Sequence, residues 1–144
     1  MRPSRTDGCR GRGRIKGANM KQGILYTGCI INGALAVFHM FFWKIFNWQT
    51  EFAQLSKDNR GIVQIANILI IFILLYFSVM SFLLARSNAA VRHAGSFFIL
   101  ISGFYLIRLV TGIIFFGYSF EEFIVWIVCF LIAAGYALLF LNRV

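Results

Sequence analysis

Apolar residues gather in four continuous runs, 24–43, 62–85, 95–116 and 123–141, separated by short stretches that hold most of the remaining charge. A helix rising ~1.5 Å per residue needs about 20 residues to cross a hydrocarbon core of ~30 Å, and each run meets that length. Transmembrane strands would instead show segments of about ten residues alternating in polarity, so a barrel is excluded. The pattern predicts an all-α chain whose four transmembrane helices form an up-down bundle. Residues 1–22 read as a basic tail expected to be disordered, and 23–144 as one four-helix transmembrane domain. No repeat relates the two halves and no Pro/Ser-rich linker divides them.

The connections carry the orientation signal. Residues 44–61 mix Phe46, Trp48 and Phe52 with Glu51, Lys57, Asp58 and Arg60, the pattern of a short amphipathic helix at the membrane surface. Trp43, Lys44 and Trp48 are its expected interfacial anchors. The next connection, 86–94, carries Arg86, Arg92 and His93, whereas 117–122 carries only Glu121 and Glu122.

Composition agrees with the pattern. Hydrophobic residues make up 60% of the 144 positions, against roughly 45–50% for soluble domains. The net charge is +9, with 14 Lys and Arg, seven of them before Ile24. Basic residues flanking apolar runs fix orientation at an anionic membrane surface, and their distribution here argues against a nucleic-acid partner. Both termini are expected in the cytoplasm. The tail, the second connection and Arg143 then place ten Lys and Arg inside against three outside, with Arg108 left in the third span. Met20 is an alternative start, and from there the margin narrows to four against three. Ala34-Leu35-Ala36 and Tyr26-Thr27-Gly28-Cys29 are weaker processing signals, because the apolar run continues past both to Trp43.

Polar residues inside the spans are the candidates for function. An Arg near a helix centre raises the insertion free energy by ~2.5–3.5 kcal/mol, which some twenty apolar neighbours offset. Isolation in lipid is the harder problem. Arg108 should therefore face the interior or reach toward the outer surface, where Glu121 and Glu122 open the fourth helix. His39, Gln64 and Asn67 fall at the same depth by helical rise. Gln64, Asn67, Ile71, Leu74, Ser78 and Ser81 share one face of the second helix, Asn32 and His39 share one of the first, and Glu122, Trp126, Cys129, Ala133 and Tyr136 share one of the fourth. Ala133 and Ala137 form a small-xxx-small pair suited to close packing. Together these predict an outward-facing polar pocket of His39, Gln64, Asn67, Arg108 and Glu122. The plainer alternative is that such residues only hydrogen-bond neighbouring helices, at about 0.6 kcal/mol each, and that Arg108 is a structural ion pair.

Several chemistries are disfavoured. Cys9, Cys29 and Cys129 show no CxxC spacing, are expected to be free thiols, and suggest neither a metal site nor a disulfide framework. His39 and His93 lie at opposite depths, so one haem cannot use both. No phosphate-binding glycine loop, HExxH or GxSxG motif occurs, and only five acidic residues are present. No catalytic activity, cofactor or metal is expected.

The stretches Phe38-His39-Met40-Phe41-Phe42-Trp43-Lys44-Ile45-Phe46-Asn47-Trp48, Asn59-Arg60-Gly61-Ile62-Val63-Gln64-Ile65-Ala66-Asn67 and Phe104-Tyr105-Leu106-Ile107-Arg108 resemble a family of small bacterial four-span integral membrane proteins of unknown function. The resemblance covers Met20 to Val144. It implies the four-span architecture and a multi-pass location in the bacterial inner membrane, and it brings no activity to any residue. Two functions follow as expectations: a protein that binds or passes a small solute, ion or proton through the polar pocket, or a non-catalytic accessory or structural subunit. The expected partners are the lipid bilayer and a second copy of the chain or another membrane protein.

Overall fold

The computed structural model describes residues 7–142, with side chains described at residue 17 and from residue 19 onward, apart from 88 and 89. Arg143, counted above, and the Cys9 thiol lie outside this description. The elements run α1 Asp7–Met40, α2 Phe42–Ile45, α3 Trp48–Glu51 with a 3-10 turn Phe52–Gln54, α4 Lys57–Ala85, α5 Asn88–His93, α6 Gly95–Phe116 and α7 Phe120–Leu141. All elements among the described residues are helical, as the sequence pattern predicts. Asn19–Met40 of α1, and all of α4, α6 and α7, are long and apolar enough to cross a membrane. These four spans fit a multi-pass integral membrane protein.

Several boundaries differ from expectation, and the first span, expected to run to 43, ends at Met40. The basic segment expected to be disordered is helical from Asp7. Arg and Lys are good helix formers, and a turn added to an existing helix needs no new nucleus. Helix α4 starts at Lys57 rather than 62 because Ser56 accepts a hydrogen bond from the Asn59 N–H at 3.3 Å, closing a polar first turn. Helix α7 starts at Phe120 because Ser119 caps it, its hydroxyl accepting from the Glu122 N–H at 3.2 Å. The first connection is helical, as expected, but in two short pieces joined at Asn47, whose φ of 45° lies in the left-handed region that Asn tolerates.

The chain divides into two compact units, Tyr26–Leu83 and the remainder. In the first, α1 and α4 form an antiparallel hairpin. Tyr26 meets Phe82 edge-on at 6.4 Å, the Ser78 hydroxyl donates to the Cys29 carbonyl at 2.8 Å, and the Asn67 amide donates to the His39 carbonyl at 3.1 Å. Gly33 permits this approach, since a Cβ there would stand 3.3 Å from Ser78 Oγ. Asn67, Leu74, Ser78 and Ser81 do face inward, Leu74 and Ser81 being buried. The opposite face of α4, with Ile65, Ile68, Phe72, Tyr76 and Val79, is exposed and almost wholly apolar. A helix presenting such a face meets lipid rather than water. Ser78→Ala should lower stability by about 0.6 kcal/mol, read by reversible unfolding in mixed micelles; a drop beyond 2 kcal/mol would mean that the hairpin depends on this bond far more than membrane hydrogen bonds usually allow (~0.6 kcal/mol).

In the other unit α6 and α7 form a second antiparallel hairpin. Phe98, Ile101, Tyr105 and Gly112 of α6 and Cys129, Ile132, Ala133, Tyr136 and Leu139 of α7 are buried, each set following the three-four alternation of a helix seam. Tyr136 packs its ring against Phe97 and Phe98 at 6.1 and 6.2 Å. The Ser102 hydroxyl donates to the Ala133 carbonyl at 2.9 Å, an approach that a small residue at 133 allows. Gly117 turns the chain with a φ of 65°, a conformation that favours glycine.

Candidate functional site

The polar residues inside the spans form two groups. In the α1/α4 hairpin, His39 Nδ1–H donates to the Leu35 carbonyl one turn back at 2.8 Å, which fixes that nitrogen as the protonated one. Its ring stacks on Phe42 at 4.2 Å and 22°. Asn67 joins the group through the His39 backbone, and its Oδ1 is buried without a donor. Gln64, expected beside them, is exposed on α4. In the first turns of a span a side-chain amide can reach the polar interface and needs no interior partner.

The second group is built on Arg108 of α6. Its Nη2 donates to Glu122 Oε2 of α7 at 3.4 Å. The pair expected from the depth of Arg108 and the position of Glu122 is therefore present. Ser119 capping places Glu122 third in its helix, where a carboxylate is also favoured by the N-terminal end of the helix dipole. Arg108 extends toward the C-terminal end of α6, and its guanidinium carbon lies 5.5 Å from the Phe116 ring centroid, within cation–π range. The side chain reaches from two turns inside the span to the level of Gly112, one turn short of the helix end. This is snorkelling in the direction of the nearer surface.

Gly112 makes the path possible. It lies one turn beyond Arg108, and a Cβ built on it would overlap Arg108 Nη1 and stand 3.2 Å from Trp126 Nε1 and 3.5 Å from Glu122 Oε2. Four residues thus converge on one point of the hairpin. Arg108 Nη1 and Trp126 Nε1 are both buried at that point and neither has an acceptor. Tyr118 and Phe123 set their rings edge-on to Trp126 at 5.4 and 6.4 Å.

Trp126 belongs to the stripe expected on the fourth helix, but its role as a second donor was not evident, and Gly112 was missed altogether. A small residue one turn toward the nearer membrane surface from an intramembrane Arg was the signal available. The interfacial residues differ in burial: Trp43 and Lys44 are exposed, whereas Trp48 is half-buried and stacks on Phe52 at 4.6 Å. Cys29 and Cys129 are free thiols. No family model, curated protein or solved structure matches the chain.

Proposed function

We propose that this chain is a multi-pass protein of the bacterial inner membrane, without catalytic activity and with both termini in the cytoplasm, that binds a small polar solute or ion at an outward-facing site centred on Arg108. The observation that carries the reading is the pair of buried donors, Arg108 Nη1 and Trp126 Nε1, left without an acceptor beside Gly112. A buried donor without a partner lowers stability by about 1–3 kcal/mol, and two at one point inside a span describe a place where an acceptor belongs.

The second reading is a non-catalytic accessory or structural subunit, in a homo-oligomer or with another membrane protein. It is favoured by the Arg108–Glu122 contact, which by itself ties α6 to α7. A thermal-stability screen of the purified chain against salts and small solutes separates the two. At least one anion should raise the melting temperature of the wild type and not that of Trp126→Phe, which keeps an aromatic ring and loses only the N–H. Equal responses of both proteins to every solute would favour the accessory role. Orientation is tested by labelling single cysteines at Ser56, Asn88 and Ser119 in intact cells in a background lacking Cys9, Cys29 and Cys129. Outside labelling is expected at Ser56 and Ser119 only; labelling of Asn88 alone would turn the site to the cytoplasm.

A further inference from the structure

We infer that the Arg108–Trp126 donor pair receives a phosphate oxygen, supplied in the membrane by a phospholipid headgroup. The inference rests on the reading of Arg108 as a ligand site and names the ligand's chemistry.

Three observations point to an anionic oxygen. Both orphan groups are donors, so the ligand must accept. They flank the same point at Gly112 and are close enough for one acceptor, at about 2.9 Å from each, to bridge them. A guanidinium is a planar fork suited to oxyanions, and the Glu122 contact through Nη2 at 3.4 Å leaves Nη1 for a second acceptor.

Depth selects phosphate. Helix α6 has 22 residues and spans about 33 Å, slightly more than the hydrocarbon core, so its ends reach the headgroup layer. The guanidinium lies over Gly112, one turn short of the end of α6, beside the Phe116 ring and the third residue of α7, close below the headgroup layer. The Arg108 side chain is 36% exposed and that of Glu122 17%; Nη1 itself is buried, so the flexible guanidinium must turn outward for a headgroup oxygen to reach it. The Phe116 ring and the Trp126 indole flank it, and Trp is enriched where chains meet headgroups.

Glu122 is the complication and also the discriminator. Its carboxylate occupies one side of the guanidinium and repels a second anion, so a phosphate competes with it for Arg108. Trp126→Phe removes a donor and should weaken binding about tenfold, the effect of one hydrogen bond to a charged group. Glu122→Gln removes the competitor and should strengthen binding. A purely structural pair would show no such opposition.

The test is lipid titration of the full chain in a phosphate-free maltoside detergent, followed by native mass spectrometry and thermal stability. The probes are phosphatidylglycerol, diacylglycerol with the same acyl chains, inorganic phosphate, chloride and acetate. Phosphatidylglycerol binding that exceeds diacylglycerol binding, falls about tenfold in Trp126→Phe and rises in Glu122→Gln establishes the inference with lipid as the source. The same pattern with inorganic phosphate as effective as the lipid keeps the phosphate chemistry and assigns it to a free ion. A Trp126-dependent response to chloride or acetate without one to phosphate overturns the inference and leaves the ligand-site reading standing. No Trp126-dependent response to any probe overturns both.

Discussion

Gly112→Leu is expected to lower the unfolding free energy by about 1–3 kcal/mol, the usual effect of inserting methylenes into a filled space. The space at Gly112 is filled by the guanidinium of Arg108, with Trp126 Nε1 and Glu122 Oε2 close behind it. A leucine there must displace all three, and the displaced Arg108 loses both its carboxylate contact and its position against Phe116. Gly112→Ala separates the components of that effect. The overlapping atom is the end of a flexible, half-buried side chain, which can swing away, and alanine in place of glycine favours a helix by about 1 kcal/mol. Stability of Gly112→Ala should therefore stay within about 1 kcal/mol of wild type, while the Trp126-dependent response to anions is lost. Reversible unfolding in mixed micelles, with and without added anion, measures both. An alanine variant that keeps the anion response would show that Arg108 and Trp126 do not act through the space above Gly112.

Much of this arrangement was legible in the sequence, and for identifiable reasons. The α6 span ends where the apolar run ends, because in lipid every backbone polar group is satisfied within the helix and the chain can leave that state only where water is available. The α4 and α7 stripes were legible because small and polar residues at three-four spacing have nowhere to go but the seam. The Arg108–Glu122 contact follows from a single constraint, that a guanidinium two turns inside a span must reach the nearer end. What depends on distances smaller than a residue was not legible. The spacing of Gly112 from Arg108 marks it in the sequence as a small residue one turn away, but that the guanidinium lies over it appears only in the structure. The Asn67 contact goes to a backbone carbonyl of α1 rather than to the His39 ring, and backbone acceptors leave no mark in composition. Residues 7–22 of the basic segment continue α1 as helix, which charge and glycine content by themselves do not signal.

The Arg108–Glu122 pair should respond asymmetrically to removal of its two halves. Glu122→Leu leaves the guanidinium with neither of its Nη nitrogens paired, and the price of an uncompensated Arg in a span is ~2.5–3.5 kcal/mol. Arg108 is 36% exposed and can turn partly to headgroups, so a loss of about 1–3 kcal/mol is expected. Arg108→Leu removes the intramembrane charge, and its former partner remains in the first turn of α7, where the helix dipole favours it and the surface is near. That variant should be as stable as wild type or more so. The double variant, leucine at both positions, should return to within about 1 kcal/mol of wild type, because a well-packed apolar pair commonly matches a buried ion pair. A double-mutant cycle by reversible unfolding measures the coupling. If the double variant is as damaged as Glu122→Leu alone, Glu122 stabilises the hairpin by a route other than Arg108. If Arg108→Leu is neutral or stabilising, the fold has no need of the arginine, as the ligand-site reading requires.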